Sequence, residues 1–243
     1  IGDTRGNGLE GADISRHLFQ IPNIPLLVNI PKLVVRGEII MRNSVFLQVR
    51  SHLKSRNGQP YKNARNAVAG MMNAEKNDPF VYQHLEFVAY EVIQPKSLGK
   101  KEQLALLEQE KFQIPFKEIQ QGHKLTDHYL TEYLKKRRPE SDFALDGIVI
   151  QVDDVKLRSS INPTRETLNP EYARKYKIAD DNNLAIATVE GVEWNISKDG
   201  YLKPRVKIEP VNLMGVTVQH ATGFNAKFIV ENNIGPGAKI KIT

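Results

Sequence analysis

The sequence predicts an α+β unit followed by a small all-β barrel, and three observations carry that reading. Residues 1–180 mix apolar strands, such as Leu33–Met41 and Leu85–Val92, with helical stretches at 102–111 and 126–136. Beyond residue 184 only short alternating runs separated by turns remain: Ala185 to Trp194, Val206 to Ile208, Val216 to Gln219 and Ala238 to Ile242. Between them lies the acidic, amide-rich stretch Ala179-Asp180-Asp181-Asn182-Asn183. The predicted domains are therefore 1–180 and 184–243, and 243 residues suffice for two cores.

Composition narrows the function classes. The chain has 34 Lys and Arg against 28 Asp and Glu, a net charge of +6, which favours an anionic partner such as nucleic acid. No apolar run approaches the roughly 18 residues of a membrane helix, so no membrane partner is expected. Zero cysteines exclude disulfides, thiolate catalysis and Cys-based zinc sites, and the six histidines lack paired metal-ligand spacing. With no signal-like segment, a cytoplasmic setting is the default expectation. The start at Ile1 and the alternating run 238–242 at the other end read as a segment of a longer polypeptide.

In chain order, Thr4-Arg5-Gly6-Asn7-Gly8 with Gly11 is a glycine-rich turn carrying one cation, Arg5. It reads either as a hairpin or as a backbone surface approaching a nucleotide. Leu33–Met41 is an apolar strand interrupted by Arg36, Gly37 and Glu38; mid-strand charge is costly unless paired or used, and mid-strand glycine marks close approach. Asn43 or Ser44 can cap a helix with Phe46, Val49 and Leu53 on one face, ending near Asn57-Gly58. Tyr61 to Gly70 starts polar and becomes small enough for close helix packing, with Arg65 as a candidate anion ligand. Leu85–Val92 is an aromatic strand whose Tyr90 is either core or a platform for a base.

The helix predicted over 126–136 carries Tyr129, Leu130, Tyr133 and Leu134 as a stripe and runs into Lys135-Lys136-Arg137-Arg138-Pro139. Gly147 to Val152 is a β-branched strand with Asp146 at its mouth, a carboxylate that is either a turn residue or part of a phosphate and metal site. Asp153 to Pro170 is expected as a long loop, and Tyr172 to Lys177 alternates ring and cation.

Taken in order, these pieces resemble the NAD-dependent DNA ligases. Thr4 to Gly11 resembles a Thr-Arg-Gly-Asp-Gly turn of that family, with Asn7 in place of Asp. Val35-Arg36-Gly37-Glu38 matches a strand whose Glu contacts ribose. Asn63 to Gly70 resembles Asn-Pro-Arg-Asn-Ala-Ala-Ala-Gly, with Ala64 in place of Pro. Tyr90 falls on the adenine-stacking Tyr, Arg138-Pro139 on an Arg-Pro, Asp146 to Val152 on Asp-Gly-Val-Val-Ile-Lys-Val, and Lys177 on a phosphate-binding Lys. Gly200 to Pro204, Ile208 to Val211, Gly215 to Val218, Ala221-Thr222 and Asn225-Ala226 resemble the OB-fold that follows the family's nucleotidyltransferase domain.

The resemblance implies an ATP-grasp-like nucleotidyltransferase (adenylation) domain and an OB-fold barrel. It implies NAD as AMP donor, Mg²⁺, and nicked double-stranded DNA as substrate. Glu38, Arg65, Arg138, Asp146 and Lys177 would be catalytic; Arg5, Glu38, Tyr90, Gln151 and Lys177 would hold the nucleotide; Asp146 would face the metal. Lys198, Lys203 and Arg205 would meet the duplex, giving salt-dependent binding without sequence preference. Three departures stand out. Gln151 replaces a Lys, Asn73 replaces a second Arg, and the nucleophile motif Lys-x-Asp-Gly occurs nowhere in the 243 residues. The nucleophile is expected upstream of Thr4, in the same chain or in a partner subunit.

Overall fold

The computed structural model describes all residues except 7–9, 56–57, 76–78, 162–170, 179–183, 198–199, 214–215 and 243. The chain divides into two compact units, 1–178 and 179–243. Each is described by itself.

The first unit opens with a hairpin in which Asp3 and Asp13 form an antiparallel bridge and Thr4 N–H donates to Ala12 O at 2.9 Å. A short helix α1 (Ser15–Leu18) follows. Strand β1 (Val34–Ile40) pairs antiparallel with β2 (Glu86–Gln94), and between them run α2 (Asn43–Val49), α3 (Ala64–Met72) and α4 (Pro79–Tyr82). These helices bury Phe46, Val49, Ala67, Val68, Met71 and Tyr82 with Leu85. Gly70 lets α3 lie on Tyr61, since a Cβ there would sit 2.1 Å from its hydroxyl oxygen. Helix α5 (Lys100–Gln109) covers β2 through Leu104 and Leu107, which pack with Ala89, Val92 and Phe112.

Three helix ends differ from the sequence expectation. The residue that starts α2 is Arg42, and neither Asn43 nor Ser44 caps it; instead the Ser44 N–H and hydroxyl both donate to the Asp142 carboxylate, at 3.0 and 2.5 Å. A partner 98 residues away satisfies the orphan amide. The helix also stops at Val49, well short of Asn57. Helix α6 (Asp127–Glu140) extends past 136, so Lys135 to Pro139 lie in its last turns, where the dipole favours their charge. Leu130 and Leu134 are its buried face, while Tyr129 and Tyr133 stack on each other at 6.0 Å.

The predicted loop after residue 152 contains a helix, α7 (Val155–Ser160), capped by Asp154 accepting from Leu157 N–H at 2.6 Å; its remainder at 162–170 lies outside the described residues. Strand β3 (Ile148–Gln151) pairs antiparallel with β4 (Ala173–Tyr176) as a separate two-stranded sheet. It is fastened at both ends. Asn43 N–H donates to Asp142 O at 2.7 Å ahead of it, and Lys101 N–H to Asp153 Oδ1 at 2.8 Å behind it.

The second unit is a four-stranded antiparallel sheet in the order β7-β6-β5-β8: β5 (Ala185–Ile196), β6 (Leu202–Leu213), β7 (Val216–Thr222) and β8 (Lys239–Ile242). A barrel was expected, and among the described residues no pairing joins β7 to β8. The strand expected at 206–208 runs for 12 residues. Pro204 and Pro210 hide this in the sequence, because proline argues against a central strand; bulges between Lys207 and Val211 accommodate the second. Helix α8 (Ala226–Glu231) sends Ile229 into the core formed by Ala187, Val189, Val206, Ile208 and Ile242.

Candidate functional site

Residues that the sequence singled out collect in unit 1 on two sheets. On the first, a register shift between Arg36 and Gly37 makes Tyr90 the extra residue of a bulge in β2, since Arg36 faces Glu91 and Gly37 faces Ala89. Arg36 Nη1 donates to Glu91 Oε2 at 2.7 Å. Glu38 is exposed two residues along β1, and Tyr90 is 36% exposed. Burial of the Tyr90 ring pushes its hydroxyl pKa up; Arg36 and Arg5 pull it down, and Glu38 and Glu91 push it up. One neighbourhood thus holds Tyr90, Glu38 and Arg5. Lys100 Nζ donates to the Tyr90 carbonyl behind it. Gly37 has its close approach to protein: a Cβ there would meet the Phe87 ring at 2.4 Å and Val88 O at 2.5 Å.

The second sheet carries the charge. Pleating and register place Val149 and Gln151 of β3 on one face with Ala173 and Lys175 of β4, and continue that face to Gly147 and Lys177. The opposite face packs on α6, where Tyr176 OH donates to Asp127 O at 3.0 Å and lies 2.5 Å from Thr131 Oγ1. The first face is open, with Val149 63% exposed. At its edge the Asp146 carboxylate accepts from Lys175 Nζ at 2.7 Å, with Lys177 Nζ at 3.8 Å. The Lys175 hydrogen bond holds the Asp146 pKa below the ordinary aspartate value, and the charges of Lys175, Lys177 and Arg65 add to the effect. Gly147 is required here, because a Cβ would sit 2.4 Å from Tyr176 O.

Three cations around one carboxylate leave two positive charges on an open face, an arrangement suited to a phosphoryl group. Asp146, the carboxylate expected to face a metal, is paired here with cations, and among the described residues no group of three His, Cys, Asp or Glu side chains is placed to hold an ion.

Arg65 is exposed in the first turn of α3, which begins at Asn63 accepting from Asn66 N–H at 2.8 Å. Arg138 is partly buried in the last turn of α6. Asn73 is turned away as the C-cap of α3, its amide donating to Ala69 O at 2.9 Å. The sequence reading missed Lys175, Lys100 and the Arg36–Glu91 pair. Period-2 spacing of 173, 175 and 177 was the available signal for Lys175.

In unit 2, Lys203 and Arg205 line a groove with His220, Thr222 and Phe224; Lys198 lies outside the described residues. Glu193 stands opposite Arg205 in the ladder and lies 3.9 Å from His220. Residues 179–243 hold seven basic and seven acidic side chains, whereas 1–178 hold 27 and 21. The excess positive charge of the chain is therefore all in unit 1. No helix among the described residues is long and apolar enough to cross a membrane.

Comparison with known proteins covers the unit that holds these residues. Residues 1–180 match the family described as NAD-dependent DNA ligase adenylation domain. The DNA ligase of Acanthamoeba polyphaga mimivirus is 32% identical over 98% of this chain and 35% of its own length. That of Psychrobacter sp. is 32% identical over 99% and 35%, and that of Lacticaseibacillus casei 27% identical over 99% and 36%. The chain spans about a third of the length of these relatives. Among solved structures, the Chlorella virus DNA ligase-adenylate aligns with 88% of the chain at 15% identity, with a TM-score of 0.27 that carries no argument. On the match of residues 1–180, the chain belongs to the NAD-dependent DNA ligase adenylation domain family.

Proposed function

We propose that this chain is the adenylate-handling and duplex-facing part of a DNA ligase that takes AMP from NAD and seals nicks in double-stranded DNA. The observation that carries the reading is the cation cluster around Asp146, on an open sheet face within the family match. Lys177 and Arg65 neutralise the phosphoryl group as it transfers, and Asp146 organises that side of the pocket. Tyr90 covers the adenine, Glu38 holds the ribose, and Arg5 closes the nucleotide side. Arg138 adds charge from α6, and Gln151 offers a hydrogen bond from the open face.

Unit 2 acts as an OB-fold on the duplex through Lys203, Arg205 and Lys198, and its zero net charge makes unit 1 the larger source of phosphate attraction. The lysine that carries AMP comes from outside residues 1–243, in the same polypeptide or a partner chain. Where Mg²⁺ is bound, Asp146 is the carboxylate that would face it, with the substrate phosphates as further ligands, and it would neutralise charge on the transferring group. The natural setting of this reading is the cytoplasm.

A second reading, a silent module that binds nicks without chemistry, is favoured by Gln151 and Asn73, which stand where the family pattern has Lys and Arg. The test uses the complete natural protein. It is offered a nicked duplex already 5′-adenylated, and separately NAD labelled in the adenylate phosphate. Sealing of the first and transfer of label to a lysine in the second are expected. Nick binding with neither reaction selects the silent module, and absence of binding and of both reactions overturns the ligase reading.

A further inference from the structure

We propose that Lys175 is a positioning residue of the adenylate site, supplying from β4 the cation that Gln151 does not supply from β3. This rests on the ligase reading above. The ladder sets Gln151 opposite Ala173 and Val149 opposite Lys175, so Gln151 and Lys175 are diagonal neighbours on the open face. Diagonal cross-strand positions lie about 7–8 Å apart, within the reach of long side chains. Lys175 extends toward Asp146, the end of the face away from Gln151, so lysines at the two positions would add charge to one face rather than to one point.

Here the ammonium comes from Lys175, whose Nζ is 2.7 Å from Asp146 Oδ2. The pair does not serve the fold. Its side chains are 44% and 56% exposed, and ion pairs of that kind contribute little to stability. Its effect is on charge. With Lys177 and Arg65 the face keeps two positive charges after Asp146 is counted, matching the two negative charges of the pyrophosphate that joins AMP to NAD or to an adenylated nick. Remove Lys175 and Asp146 neutralises half of what remains, which leaves one.

Gly147 fixes the site of this pairing. Its backbone is pressed against Tyr176 O, so Asp146 projects beside the lysines. Lys175 in turn occupies one carboxylate oxygen, which directs Asp146 away from the incoming phosphate. The charge that the family pattern carries at the last position of β3 has crossed to the neighbouring strand.

The experiment compares Lys175→Ala, Lys175→Arg and the double variant Lys175→Ala/Gln151→Lys in the complete natural protein. Single-turnover sealing of a 5′-adenylated nick is measured at saturating DNA, with Tm recorded for each. Lys175→Ala is expected to slow sealing on the order of 100-fold with Tm unchanged, Lys175→Arg to stay within about tenfold of wild type, and the double variant to recover at least tenfold over Lys175→Ala. Sealing by Lys175→Ala within twofold of wild type overturns the proposal, as does a double variant no faster than Lys175→Ala. Should Lys175→Ala unfold, Lys175→Gln takes its place and the same comparisons decide. A wild-type protein that does not seal speaks against the ligase reading instead, and is read without any variant.

Discussion

The two hairpins of unit 1 solve different problems. In β1–β2, nine residues of β2 sit under α5 and against the helical core, a bulge aims Tyr90, and Gly37 admits the Phe87 ring. In β3–β4 each strand has four residues, one face is bare, and the notable contacts are charges around Asp146. Position is held by packing in the first and charge is concentrated in the second. Substitutions in β1–β2 should therefore cost stability first, and those on the β3–β4 face should cost activity first.

The largest effect tests the second half of that contrast. Lys177 is 60% exposed, and its ammonium has only a 3.8 Å approach to Asp146 to lose. Lys177→Ala is expected to reduce sealing of a 5′-adenylated nick by roughly 100- to 1,000-fold, the scale of removing one donor from a developing anion. The thermal midpoint should not move. A parallel loss of Tm would show that the cluster also holds the fold, and the contrast between the hairpins would fail.

The next effect is on stability, in the other hairpin. Gly37→Val places carbon where the Phe87 ring and Val88 O now lie, 2.4 and 2.5 Å from a Cβ. Overpacking of this kind costs roughly 1–3 kcal/mol, several degrees of Tm for a unit of this size. The β3–β4 face is untouched, so any loss of AMP binding by folded protein below the transition reports displacement of the neighbouring Glu38 and Tyr90. Denaturation and AMP titration on the same sample separate the outcomes; an unchanged Tm would mean that β1–β2 tolerates the crowding.

The same contrast explains what could be read from sequence. Strands at 34–40 and 86–94 were legible because apolar residues dominate them and packing enforces their pattern. Strand β4 was not, since Ala173-Arg174-Lys175-Tyr176 puts one exposed cation on each face and shows no hydrophobic alternation. The family resemblance named individual candidate residues, but not their grouping. Tyr90 with Glu38 and Arg5 depends on a bulge, and Lys175 with Asp146 depends on the pairing of two strands distant in sequence. The Asp142 cap of α2 joins residues 98 apart, which no local rule anticipates.

The smallest effect is the most direct reading of the β3–β4 face. The Asp146 carboxyl is held below the ordinary aspartate pKa, first by the Lys175 hydrogen bond and then by the charges of Lys175, Lys177 and Arg65. A carboxyl depressed on folding contributes stability that is present above its unfolded pKa, about 3.9 for aspartate, and is lost as pH falls through the folded value. With the side chain more than half exposed, solvent screens this contribution, so global stability should scarcely register it. The carboxyl resonance of Asp146 should register it clearly. Its NMR titration midpoint is expected below the ordinary value, and Lys175→Ala should move it up because the largest cause has gone. Added salt should weaken the remaining influence of Lys177 and Arg65 more than the direct Lys175 contact. A midpoint indifferent to Lys175→Ala would assign the field at Asp146 to Lys177 and Arg65, and would leave Lys177 as the working lysine beside Asp146.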